Sequence, residues 1–121
     1  HERIAEINLA VHPALTVADG TTTMIDGGPT SGTPAKTDLL ICSGDRVAVD
    51  LTAIALLRSF GTSSKLQGRR IVDQRQIRRA AALGLGAGSG RGIELVTEAV
   101  DPAPPAFLQL VEHIRQDLLD S

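Results

Sequence analysis

Tryptophan and tyrosine are absent from this sequence, and phenylalanine occurs only twice, as Phe60 and Phe107. Stacking platforms for bases or sugars therefore have almost no material, and the core must be aliphatic. Cysteine is nearly absent as well. The lone Cys42 excludes an internal disulfide, the four thiolates of an iron–sulfur cluster and a cysteine-built zinc site. It falls in the run Leu39-Leu40-Ile41-Cys42 and reads as a small buried hydrophobe. No apolar run approaches the roughly 20 residues of a membrane helix, so a soluble chain with no membrane partner is expected. The chain starts at His1 rather than Met, and no charged-then-apolar leader follows. A cut or processed form resident in the cytoplasm is the expectation.

What is present suffices for one domain. The chain has 121 residues, 42% hydrophobic and 21% charged, a size that buries a core and a charge too low for bulk disorder. The net charge of −2 hides a segregation. Residues 1–57 carry seven acids and three bases, and residues 92–121 carry six acids and one base. Between them, Arg58, Lys65, Arg69, Arg70, Arg75, Arg78, Arg79 and Arg91 face Asp73 alone. Such a stretch either pairs with its acidic flanks or attracts an anionic ligand or acidic partner. With so few aromatics and a pI near 5.9, nucleic acid is not expected.

Along the chain, Ile4, Ile7 and Val11 form one helical stripe, ended by His12-Pro13. Leu15 and Val17 mark a short strand over 14–18, Asp19-Gly20 a turn, and Thr21–Ile25 a second strand. Residues 26–36, with three Gly and two Pro, read as a loop. Asp38–Cys42 reads as a central strand. Ser43 or Asp45 then caps an apolar helix over 47–60, stopped by Gly61. Asp73 caps a helix over 74–83, stopped by Gly84. The alternating glycines at 84, 86, 88, 90 and 92 lead into a strand over 93–97. After the helix-starting cluster 101–105, Phe107, Leu110, Val111, Ile114 and Leu118 define a final amphipathic helix. Residues 1–121 are thus expected to be a single domain, or the C-terminal portion of a larger one. The expected class is α/β or α+β, a mixed β-sheet with helices packed on it over an aliphatic core.

Three stretches hold candidate chemistry. Gly28, Pro29, Thr30, Ser31, Gly32 and Thr33 form a loop whose backbone N–H groups and hydroxyls suit an oxyanion, with Lys36 close behind. It is no P-loop, since Gly-Lys-Ser/Thr is missing. Gly84-Leu85-Gly86 is no dinucleotide fingerprint, because it leaves a helix and precedes a strand. Asp19 and Asp45 fall at element ends, where carboxylates gather a cation or act as acid and base, although Asp45 equally suits a cap. Asp50 interrupts an apolar helix and needs a partner if buried. His1, His12 and His113 are too scattered for a metal site, and none is expected.

Taken in order, four segments carry a resemblance. They are Thr16-Val17-Ala18-Asp19-Gly20; Met24 to Gly32, Met-Ile-Asp-Gly-Gly-Pro-Thr-Ser-Gly; Ser43 to Asp50, Ser-Gly-Asp-Arg-Val-Ala-Val-Asp; and Ala80 to Gly86, Ala-Ala-Ala-Leu-Gly-Leu-Gly. Together, over about residues 14–97, the chain resembles the uncharacterised conserved family called domain of unknown function 362. Arg46 departs from the usual Pro of the third segment, a change that a first helical turn accepts. The resemblance implies the C-terminal part of a longer protein whose cysteine-rich segments elsewhere hold iron–sulfur clusters. It implies no cofactor in this chain, and it names no reaction. Its motif positions here are Asp19, Gly28, Pro29, Gly32, Asp45 and Asp50.

Three functions remain open at this level. The first is a domain without activity of its own that holds an interface to the missing N-terminal part of its parent, with exposed sheet edges able to drive homo-oligomers. The second is an enzyme domain with an anion or metal site at the Gly27–Thr33 loop and Asp19 and Asp45. The third is a binding module that offers the Arg58–Arg91 stretch to an acidic partner.

Overall fold

The computed structural model describes residues 2–27, 32–61, 68–99 and 103–121. Helix α1 spans Glu2–Ile7 and continues as a 3₁₀ turn over Asn8–Ala10. Strands β1 (Thr16–Gly27) and β2 (Gly32–Ser43) pair antiparallel. Helix α2 spans Arg46–Ser59, α3 Arg75–Ala82 and α4 Pro105–Leu119. Short 3₁₀ turns occupy Ile71–Asp73 and Gly90–Gly92. Sheet and covering helices combine as expected in an α+β arrangement, the sheet among the described residues being this hairpin alone.

The core is aliphatic throughout. Helix α2 is central, packing on both strands, on α3 and on α4. Leu51, Ile71 and Leu118 are completely enclosed, with Val47, Ala55, Leu56, Ile77, Ala80 and Ile114 around them. Helix α4 contributes Ile114 and Leu118, the stripe its sequence marks out, and starts with Pro105 at its first turn, where a missing N–H costs nothing. Helix α3 ends in two nested bonds, Gly84 N–H to Ala81 O and Leu85 N–H to Ala80 O. Gly84 takes φ +70° there, the left-handed cap that closes a helix at least cost with glycine.

Several sequence expectations change. Asp19-Gly20 is no turn: β1 runs through it, and Gly20 pairs with Leu39. The register instead skips between Gly20 and Thr22, where Thr37 and Asp38 of β2 oppose Thr21 alone, a bulge. Asp38 takes φ +49° there, a conformation that Asp tolerates better than most residues. Residues 26, 27 and 32–36 belong to strands rather than to a loop. Pro34 fits in β2 because no third strand among the described residues asks for its N–H. For the same reason, residues 38–42 are an edge rather than a central strand.

Cys42 is exposed, because a strand turns alternate residues to opposite faces and Leu39 and Ile41 take the inner one. Asp73 does not cap α3. Gln74 holds that position and its side chain does not cap the helix, while Asp73 pairs instead with Arg70 at 2.8 Å. Residues 93–97 form no strand, since β-branched composition cannot make a ladder without a neighbouring edge. Ile93 and Leu95 rest on the core as extended chain. The cluster 101–105 lies partly outside the described residues.

Candidate functional site

The sequence candidates occupy three places along the hairpin. The loop Gly28, Pro29, Thr30 and Ser31 lies outside the described residues. Its flanks are paired: Gly27 faces Gly32, and the Thr33 hydroxyl donates to Asp26 Oδ2 at 3.0 Å. Asp19 lies nearer the other end, opposite Leu40. Asp45 follows Ser43, whose partner is Thr16. Eleven steps of β1 separate Thr16 from Gly27, roughly 35 Å of extended chain. Gly27 and Asp45 therefore lie towards opposite ends of the hairpin.

Each carboxylate has its own environment. Asp19 is on the outer face, where its Oδ1 accepts from the Thr21 hydroxyl at 2.7 Å and the Thr21 N–H at 2.9 Å. Those bonds favour the charged form and hold its carboxyl below the usual range. Asp50 is on the exposed side of α2 and needs no partner. Its helical neighbours nonetheless displace enough water to push its carboxyl up.

Asp45 is the most committed of the three. The Ser43 hydroxyl accepts the Asp45 N–H at 2.9 Å, and Asp45 Oδ1 accepts from Val47 N–H at 2.9 Å and Ala48 N–H at 3.0 Å. This is the expected cap of α2. Its other oxygen does what sequence reading missed: Oδ2 accepts from Ala87 N–H at 2.8 Å. The glycine alternation acquires a reason here. A Cβ on Gly86 would overlap Asp45 Oδ1 and approach Val47 Cγ2 to 2.9 Å, and one on Gly90 would overlap Leu118 O and Ser121 Oγ. These glycines let the 84–92 segment lie close on α2 and α4. The only trace in sequence was the alternation itself, which does not reveal its partner.

The basic stretch is largely spent inside the fold. Arg58 of α2 meets Asp117 of α4 at 2.9 Å with side chains 19% and 16% exposed, and its guanidinium also donates to Arg69 O. Arg79 reaches Glu6 of α1 at 2.9 Å. Arg91 Nε donates to Leu119 O at 3.1 Å. Arg70 pairs with Asp73, which holds the Asp73 carboxyl low. Bases of the middle segment thus tie it to acids of both flanks. An open groove of about 570 Å³ lies beside the Arg58–Asp117 pair, lined by Gln109, Glu112, His113, Gln116 and Asp120. Glu112 in it is already held by Arg115 and Gln116.

Cys42 is the single cysteine of the chain and is exposed, and no three His, Cys, Asp or Glu side chains among the described residues gather around a metal-sized space. The donor set therefore does not fit an iron–sulfur cluster. Among the same residues, no helix is long and apolar enough to cross a membrane.

The outer face of the hairpin is exposed. Val17 pairs with Cys42 and Asp19 with Leu40 on that face. Leu15, Val17 and Leu40 are each more than half exposed, while Leu39 and Ile41, one residue away, face the core.

The family model described as Domain of unknown function (DUF362) matches residues 1–55. That span holds the first three of the four motif segments and stops before Ala80–Gly86. No curated protein and no solved structure matches the chain.

Proposed function

We propose, from the premise that residues 1–55 belong to the Domain of unknown function (DUF362) family, that this chain is a scaffold portion of a larger protein. In this reading the outer face of the hairpin is a packing surface for the rest of its parent. One observation carries it: β1 and β2 bury one face on α2, yet leave Val17 and Leu40 in water, with Leu15 exposed just before β1 and no described strand on either outer edge. A two-stranded ribbon of this length is marginal by itself, and contiguous exposed apolar side chains mark contact surfaces. The resemblance adds iron–sulfur segments elsewhere in the parent. Cys42 alone cannot ligate a cluster, so this chain's contribution is a surface. The enzymatic alternative loses support because Asp45 is bound to three backbone amides. The acidic-partner alternative loses support because Arg58, Arg70, Arg79 and Arg91 have partners within the fold.

Hydrogen exchange on this chain and on the longer parent tests the proposal. Slower exchange over Thr16–Met24 and Leu39–Ser43 in the parent, with α2 unchanged, is expected. Identical exchange of the hairpin in both would overturn it.

A further inference from the structure

We infer that the outer edge of β1, Thr16–Met24, is a strand-addition site for an extended segment bearing a cationic side chain opposite Asp19 and apolar side chains on either side. This rests on the packing surface proposed above and names the chemistry of what covers it.

The two edges of the hairpin differ. On β2, Pro34 has no N–H to offer, and the bulge at Thr37 and Asp38, with Asp38 at φ +49°, breaks the line of the strand. Lys36 and Asp38 also pair across it at 3.7 Å. Proline, bulges and edge charges are the devices that keep a strand from recruiting another. From Thr16 to Met24, β1 has no proline, no Lys or Arg and no non-glycine residue at positive φ. Valine and four threonines give it the composition of a paired strand.

Side chains on this edge specify the guest. Val17 and Leu40 offer an apolar contact on the outer face, and Asp19 lies beside them opposite Leu40. The Thr21 bonds fix the Asp19 carboxylate in place. No base of β1 neutralises it, while Lys36, the base on the facing strand, pairs with Asp38. Main-chain bonds would supply the affinity of an added strand, and the alternate side chains its selectivity.

The test titrates the isotope-labelled 121-residue chain with short peptides alternating valine and threonine about a central lysine, glutamine or glutamate. Amide exchange and the methyl signals of Val17 and Leu40 are the readouts. The lysine peptide is expected to slow exchange along Thr16–Met24 and to bind about fivefold more tightly than the glutamate peptide, the scale of a cross-strand charge pair. Asp19→Lys should reverse that order, and Asp19→Asn, which keeps an acceptor for Thr21, should abolish it. Slowed exchange on β2 instead, or equal binding of all three peptides, would overturn the inference. Methyl shifts without slowed exchange on β1 would also overturn it, while leaving the packing surface standing. No response from methyls or amides would count against both.

Discussion

Removing the Asp45 carboxylate tests how the fold is joined. Its Oδ1 caps α2 through Val47 and Ala48, and its Oδ2 holds Ala87. Losing the cap costs about 1 kcal/mol. Leaving the half-buried Ala87 N–H without its charged acceptor costs a further 1.5–3 kcal/mol or so. Asp45→Ala should therefore destabilise by about 2–4 kcal/mol. At roughly 4 °C per kcal/mol for a chain of this length, Tm should fall by about 8–16 °C. Without tryptophan or tyrosine there is no useful intrinsic fluorescence, so the assay is urea or thermal unfolding followed by circular dichroism. Gly86→Ala sharpens the test. Its methyl would strike Asp45 Oδ1, at a cost of about 1–3 kcal/mol. In the Asp45→Ala background much of that obstacle is gone, so the double variant should be less damaged than the sum. The reasoning fails if Asp45→Ala stays within about 0.5 kcal/mol of the parent, or if Gly86→Ala costs the same in both backgrounds.

Other expectations follow from the same geometry. Burial raises the Asp50 carboxyl, so ionising it weakens the fold as pH rises from the ordinary carboxylate range through its own higher pKa. Asp50→Asn should accordingly be neutral or stabilising at pH 7 and lose that advantage in acid, as read from urea midpoints across pH. Asp73 has the opposite sign: Arg70 lowers its pKa, so its contribution is present at neutral pH and fades as pH drops through the lowered value, and an Asp73→Asn variant should show a flatter acid limb. Arg58→Ala should cost about 2–3 kcal/mol, because Asp117 is left mostly covered. Arg79→Ala, whose pair with Glu6 is 40% and 47% exposed, should cost under about 1 kcal/mol and respond to salt; comparable losses from both variants would contradict the assignment. Gly84→Ala should cost about 1 kcal/mol in thermal unfolding, because its φ of +70° strains any side chain.

What could be read from residues alone was local. The α2 cap at Asp45, its stop at Gly61 with φ +67° and the α4 stripe depend on neighbours three or four positions away, and spacing shows those. The aliphatic core followed from composition. Asp19-Gly20 has the letters of a turn, but whether a chain turns or bulges there depends on Leu39 across the ladder. Residues 93–97 have strand composition and no edge to join, and composition does not report edges. Among the candidate carboxylates the Asp45 cap was legible, whereas the bonds of Asp19 to Thr21 depend on a strand that its turn-like letters hid. The link from Asp45 to Ala87 had no sequence signal except glycines whose neighbour could not be named.

The two oxygens of Asp45 also belong to different moments of folding. Oδ1 bonds amides two and three residues ahead, while Oδ2 bonds one 42 residues away. A cap forms as soon as α2 nucleates, but the bond to Ala87 must wait until the long intervening segment has been closed and its entropy given up. Substitutions at Val47 or Ala48 that weaken the first turn should slow refolding. Gly86→Ala should leave refolding nearly untouched and speed unfolding. A single carboxylate thereby joins a contact between near neighbours to one that closes a loop of 42 residues.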